Sequence, residues 1–377
     1  MEIEGIALYK IQNSRAEATV AARINGETAS APSGASAGTH EAASFVPERL
    51  ERIEEELQEK FIGGEFSQKE FDRELEKIDG SAGFENIGSV GIACSLAFKK
   101  AKGYSEGRKF PYPLGNVVGG GEHGGNTDIQ EFLVLPADAE SFPKAVETNA
   151  KILHEMEERY STKIKGKNDE GALITSMNDE KTLESLKKVA KEHNAEIGMD
   201  IAASELWNGK KYVYSRNGME LSPKRQLKKI KRLAEKYGLY YIEDSFHEED
   251  FESHRKLGME TEAMVTGDDL FVTSPERLER GIETSSCSSI IIKPNQAGTV
   301  SKTKRAVDLA LEAGYTPVIS HRSGETCDVS ISDMALEWNI PVIKAGITDI
   351  RTAKLNRLIV KWQDMEKNGE EPVMAEL

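Results

Sequence analysis

Six short apolar runs in the later two-thirds of the chain each stop on a polar residue, and helix signals recur between them. No other feature constrains the fold as much. The runs are EIGMD, LYYIED, AMVTGDD, SSIIIKP, TPVISH and PVIKAG. Their polar endings, Asp200, Glu243, Asp268, Lys293, His321 and Lys344, are spaced by 43, 25, 25, 28 and 23 residues. The longer first interval holds a polar excursion, NGKKYVYSRNG. Helix starts are signalled at Ser222-Pro223, a helix closed by Gly238, at Ser274-Pro275, and over Ser301 to Gly314. Strand alternating with helix at about 25 residues per unit predicts a parallel sheet with helical crossovers. In a (β/α)₈ barrel the C-terminal ends of the strands meet at one mouth, so residues far apart in sequence converge there. A turn accounts for one polar strand ending. Six in phase predict a shared site.

The first hundred residues read differently, as a smaller α+β unit. Two strand-like runs, IEGIALYKI and EATVAARI, precede a Ser/Gly/Ala loop, APSGASAGTHEA. Three helices follow. Pro47 opens one with Leu50, Ile53 and Leu57 at helical spacing, and Ser67 with Glu70 forms a capping-box start before Phe71, Leu75 and Ile78. The third, NIGSVGIACSLAFKKAKG, is small and apolar on more than one side, which predicts burial. YSEGRKFPYPLG, residues 104 to 115, is the expected linker, and the chain divides into an N-terminal α+β capping domain, 1–112, and a C-terminal α/β barrel, 113–377.

Composition narrows the function. A 377-residue chain that is 38% hydrophobic can bury a large core. A formal charge of −15 with a pI near 5.2 argues against nucleic acid or an anionic membrane as partner. Cys94, Cys287 and Cys327 are too few and too scattered for a disulfide framework or a cysteine metal site. With neither a signal-like N-terminus nor an apolar stretch of membrane-spanning length, the expected location is the cytoplasm.

The strand endings suggest their own chemistry. Asp200, Glu243 and Asp268 place three carboxylates around one point, where they repel unless a cation joins them; helix capping accounts for one or two of them. All-oxygen ligation beside a bound oxyanion suits Mg²⁺. Lys293 and Lys344 face that site, and two ammonium groups near a cation depress each other, which leaves one available as a base. Arg322 with Ser323 suits a phosphate or carboxylate. The segments NVVGGGEHGGNTDIQEFLVLP and KNDEGALI add His123, Gln130, Glu131 and Glu170.

These segments, taken in order with SGAS, IGMDIAASE, YIED, GDDLFVT, IIIKPNQAGT, SHRSGET and AKLNRL, resemble the enolase family over nearly the whole chain. The resemblance implies a cap on a barrel with irregular first units, and an Mg²⁺-dependent lyase that dehydrates 2-phosphoglycerate to phosphoenolpyruvate. By position it makes Lys293 the base and Glu170 with Glu131 the acid pair. Asp200, Glu243 and Asp268 hold one Mg²⁺, and Ser36 reaches a second, so two ions per site are expected. Arg322 and Ser323 bind phosphate. His123, Gln130, His321 and Lys344 contact the substrate carboxylate, its hydroxyl or their surroundings. The partner is thus a small phosphorylated acid, and the chain is expected to form a homo-oligomer, a dimer or larger. Competing expectations are an enolase-like paralogue acting on another phosphorylated 2-hydroxy acid, and a non-catalytic scaffold retaining the barrel. Departures fall outside the proposed catalytic and metal positions: SRAEATVA stands for SRGNPTVE, KNDEGA for VGDEGG, and KAGITDIRTA for KTGAPARSER.

Overall fold

The computed structural model describes residues 1–34, 39–81 and 83–377. The N-terminal unit begins with an antiparallel meander, Ile6–Gln12, Ala18–Ile24 and Glu27–Ser30. Helices Leu50–Phe61, Gln68–Asp79 and Ser89–Lys102 follow. The middle helix has the expected capping box, with Ser67 accepting from the Glu70 amide and the Glu70 carboxylate accepting from Ser67 N, and it ends at a left-handed Gly80. The first helix starts at Leu50, three residues beyond Pro47. From Ser89 to Phe98 every residue of the third helix is buried, because it lies between the meander and the neighbouring helices. Phe98 stacks on Phe71 at 4.4 Å.

One buried acid fastens this unit to the rest. Asp72 accepts from Ser95 Oγ at 2.6 Å and from the Ser301 amide at 2.8 Å, the latter in the first turn of the helix Val300–Glu312. That helix is capped by Thr299, two residues before the expected start. The cap unit therefore cannot drift from the barrel without breaking a buried hydrogen-bond network.

The barrel is a closed ring of eight strands: Tyr112–Gly119, Glu131–Leu135, Glu196–Asp200, Tyr241–Glu243, Met264–Gly267, Ser289–Ile292, Thr316–Ser320 and Val342–Lys344. The last pairs in parallel with the first, through Val342 with Tyr112 and Lys344 with Leu114. The linker expected over residues 104–115 is shorter in the structure. Residues 109–110 pair with Val373–Met374, and the barrel begins at Tyr112. Proline's fixed φ suits an extended chain, so Pro113 sits in a strand opening that composition alone reads as a break.

Strand Glu131–Leu135 runs antiparallel to both neighbours. Its first residue, not its last, consequently lies at the mouth. Pairing sets Glu131 opposite Asp200 and Asp200 opposite Glu243, so three acids from three strands occupy one row. Below them Leu114, Leu133, Tyr241, Ile291, Val318 and Val342, from strands around the ring, form a separate apolar cluster that fills the barrel interior. Two hairpins decorate the mouth. One joins Ile164–Lys167 to Leu173–Thr175 and carries Asp169 and Glu170 in its turn; the other, Tyr212–Tyr214 with Met219–Leu221, is the polar excursion of the first long interval. Among the described residues no helix is long and apolar enough to cross a membrane.

Candidate active site

At the mouth lies a cavity of about 390 Å³ with mainly polar walls. It is the size a small acid needs. Eleven of the thirteen residues expected at the site line it; the exceptions are Glu243 and Ser36. Glu243 lies fully buried beneath Lys344, and Ser36 falls outside the described residues.

Lys344 is the centre of the acid row. Its Nζ stands 2.7 Å from Glu131 Oε2, 3.0 Å from Asp200 Oδ2 and 2.7 Å from Glu243 Oε2. Burial disfavours its ammonium, but these three acids more than offset that and hold its pKa well above the ordinary value. Lys293 behaves alike: burial pulls it down, and the charge of Asp268, which it touches, raises it further than Arg322 and Lys344 lower it. Lys344 does lower Lys293, as expected, but each lysine first meets a carboxylate, so the net shift of both is upward. The acids pay the complementary cost. Burial and then the charge of Asp200 push Glu243 well above the carboxylate range against the pull of Lys344. Burial raises Glu131 to about 7, with Lys344 opposing and Glu170 adding to the shift.

These residues fit a hard divalent cation. Carboxylate oxygens of Glu131, Asp200 and Glu243 lie within 4.8 Å of one another, as do those of Glu243, Asp244 and Asp268. The expected trio Asp200, Glu243 and Asp268 is therefore split between two groups that share Glu243. Lys344 draws Asp200 to one side, and Lys293 draws Asp268 to the other. Glu243 Oε1 is buried without a hydrogen-bond partner among the described residues, an acceptor placed for a cation. Asp244, which the strand-ending pattern passed over, sits in a left-handed conformation and accepts the amides of Asp268 and Asp269, each at 2.9 Å, so it shapes the following loop. Its only sequence signal was its place in YIED.

On the opposite wall, Glu170 accepts a long hydrogen bond from Asn116 Nδ2 at 3.4 Å and lies 3.8 Å from His123 Nε2. The other ring nitrogen of His123 is 2.8 Å from Asp169 Oδ1. Burial lowers the His123 pKa, but the Asp169 bond and the charge of Glu170 outweigh it and bring it up to about 9. An oxygen of Glu170, one of Glu131 and a nitrogen of His321 also lie within 4.8 Å of one another. The glycine-rich loop bearing His123 is held from outside. Arg216 donates to the carbonyls of Gly121 at 2.8 Å and Gly125 at 3.2 Å, and Asp128 accepts the amides of Arg216 and Asn217. The excursion hairpin is thus a brace for that loop. Nothing in NGKKYVYSRNG indicated the pairing. Gln130 lines the cavity, and its amide donates to Asp200 O.

The turn after Thr316–Ser320 forms the third wall. His321 is buried, its amide donates to Lys344 O, and burial with the nearby charges of Arg351 and Lys344 keeps its pKa well below 6.5. The Arg322 amide donates to Glu325 Oε1 at 3.0 Å, and Glu325 Oε2 pairs with Lys354 at 2.7 Å. Ser323 O accepts from Arg351, whose side chain is completely buried. Gly324 bridges Ser33 of the cap through two 2.9 Å backbone hydrogen bonds. The cap therefore closes over the same turn. Glu41, also from the cap, pairs with Arg322. It stands near the end of the APSGASAGTHEA loop, five residues beyond Ser36.

Comparison with known proteins agrees with this geometry. The family model described as enolase, N-terminal domain, matches residues 3–111, and that described as enolase, C-terminal TIM barrel domain, matches residues 108–371. A curated protein named enolase from Archaeoglobus fulgidus is 40% identical, across 97% of this chain and 98% of its own length. Others of that name from Pyrobaculum aerophilum and Methanosphaera stadtmanae are each 38% identical, across 95% and 100% of this chain and 96% and 99% of theirs. With both domain models matched in sequence order and relatives similar from end to end, the chain belongs to the enolase family.

Proposed function

We propose that this chain is a phosphopyruvate hydratase, a lyase that dehydrates 2-phosphoglycerate to phosphoenolpyruvate. The observation that carries the reading is the convergence, at one cavity and directly beneath it, of carboxylate clusters able to hold a cation, two lysines, an acid pair and the Arg322 turn. Asp200, Glu243 and Asp268 would hold one Mg²⁺, with Glu243 common to both carboxylate groups and Asp200 and Asp268 released from Lys344 and Lys293, and Ser36 would reach a second. Bound there, Mg²⁺ supplies positive charge to offset the charge that builds on the substrate carboxylate when the neighbouring carbon loses its proton.

The chain's own groups do the rest. Lys293 takes the C2 proton, for which it must first be neutral; its ammonium is favoured by Asp268, so drawing that carboxylate's charge elsewhere frees it as a base. Glu170 with Glu131 protonates the departing hydroxide. A Glu131 pKa of about 7 supports this role, since such a carboxyl holds a proton near neutral pH. Arg322 and Ser323 take the phosphate. Lys344, Gln130, His321 and His123 orient the carboxylate and hydroxyl ends. The same reading carries a division of the chain near residue 112, a cytoplasmic location and a homo-oligomer.

The test is direct. Purified protein given 2-phosphoglycerate should raise the ultraviolet absorbance of the enol phosphate product with Mg²⁺ and lose that activity in chelator. Absence of turnover at saturating Mg²⁺ would overturn the reading.

A further inference from the structure

The guanidinium assigned to phosphate is engaged by an acid from the cap. Glu41 Oε2 accepts from Arg322 Nη1 at 2.8 Å and Oε1 from Nη2 at 3.2 Å, a two-pronged pair whose side chains are only 5% and 6% exposed. Both residues line the cavity. Glu41 Oε1 also accepts from Gln296 Nε2 at 3.3 Å, and that same nitrogen donates to Asp268 Oδ1 at 3.0 Å. Glu41 is thus held at the corner where the Arg322 turn meets the acid cluster.

We propose that Glu41 is an internal competitor for the phosphate subsite, occupying the Arg322 fork until a phosphorylated substrate displaces it. The inference rests on the reading of Arg322 as the phosphate ligand. Two carboxylate oxygens across a guanidinium present the same geometry as one edge of a phosphate. A dianionic phosphate and a carboxylate cannot both sit there without bringing like charges together in a buried space, so one leaves as the other arrives. While no phosphate is bound, Glu41 keeps the buried guanidinium charge-paired.

Local anchoring makes the exchange feasible by side-chain rotation. The Ala42 amide donates to Gln296 O and the Ala43 amide to Gly83 O, each at 2.8 Å, so the backbone just beyond Glu41 is pinned to the barrel and to the cap. The arrangement also selects. A ligand must bind Arg322 better than a bidentate carboxylate does, which a phosphate dianion can and an unphosphorylated hydroxy acid cannot. Glu41 would thereby set specificity for a phosphorylated acid at the cost of affinity.

Calorimetric titration of the full-length chain with inorganic phosphate, and separately with glycerate, tests this in the parent, Glu41→Gln and Glu41→Asp. The glutamine variant removes the charge. The aspartate variant keeps it but is one methylene too short for the fork. Expected are phosphate affinities about tenfold higher for Glu41→Gln and several-fold higher for Glu41→Asp, a fall in KM for 2-phosphoglycerate, and measurable glycerate binding in Glu41→Gln. Unchanged or weaker phosphate binding in either folded variant, with thermal melts matching the parent, overturns the proposal, since it would make Glu41 a support for Arg322 rather than a rival. Arg322→Met separates the two readings: if it binds phosphate as well as the parent does, the phosphate assignment itself fails and Glu41 has nothing to compete for.

Discussion

Replacing Lys344 by alanine removes an ammonium that three buried carboxylates share, at 2.7, 3.0 and 2.7 Å. Each acid then loses its nearest cation at a point that is 0–7% exposed. Breaking a buried pair by deleting one partner costs about 3–5 kcal/mol, because the remaining charge stays buried without compensation. With an unfolding entropy of about 2.1 cal/mol/K per residue, a chain of 377 residues changes Tm by about 1 °C for each 0.8 kcal/mol. Lys344→Ala should therefore melt about 4–6 °C lower in chelator at pH 8.

The loss must depend on pH, and its sign follows from proton uptake. Lys344 lowers the pKa of Glu131 and of Glu243, both of which are already raised by burial. Without it both folded-state values rise further above the unfolded value, so the folded variant holds more protons than the unfolded chain between those limits. Stability then falls as pH rises through that window, by about 1.4 kcal/mol per pH unit for each extra proton held. The parent's own Glu131 keeps its proton up to about pH 7, so the deficit against the parent should be small near pH 5 and open above about pH 7. Millimolar Mg²⁺ should recover much of it, since a cation bound by the same acids stabilises the folded state by mass action. Melting curves at pH 5 and 8, with chelator and with Mg²⁺, check all three features. A deficit under 1 °C at pH 8, or one that does not change between pH 5 and 8, would refute the reasoning.

Asp268→Ala should weaken Mg²⁺ binding at least tenfold in a calorimetric titration, whereas the exposed Asp364→Ala should leave it unchanged; equal affinities would remove Asp268 from the metal set. Lys293→Ala should abolish both dehydration and exchange of the C2 proton with D₂O, while Glu170→Gln should retain exchange and lose dehydration by roughly 10²–10⁴-fold, as followed by NMR of 2-phosphoglycerate. Exchange at the parent rate in Lys293→Ala would assign the base elsewhere. Arg216→Ala, which frees the Gly121 and Gly125 carbonyls, should lower kcat/KM about tenfold or more without changing Mg²⁺ affinity, because it loosens the loop that carries His123.

The barrel and most of its mouth were legible in the sequence because a parallel βα unit leaves a local trace: an apolar run, a polar ending, a cap and a helix. Asp200, Glu243, Asp268, Lys293, His321 and Lys344 all stand at such endings, and the structure brings them to one end of one ring. Glu131 followed a different rule. It opens an antiparallel strand, and only the ring's pairing shows why a first residue lies beside the last residues of its neighbours.

What the sequence could not determine was who pairs with whom across the mouth. The pattern set two lysines facing three carboxylates, but whether they would meet each other or the acids depends on angstrom-scale placement by five different strands. The closed ring settles it: Lys344 lies among Glu131, Asp200 and Glu243, Lys293 lies on Asp268, and both ammonium groups are stabilised rather than depressed. Arg216 on the Gly121 loop and Glu41 on Arg322 join residues 95 and 281 positions apart. Strand, helix and cap signals arise from interactions within a few residues and are written locally. Charge pairing across a cavity arises from closure of the whole barrel and its cap, so it exists only in the tertiary structure.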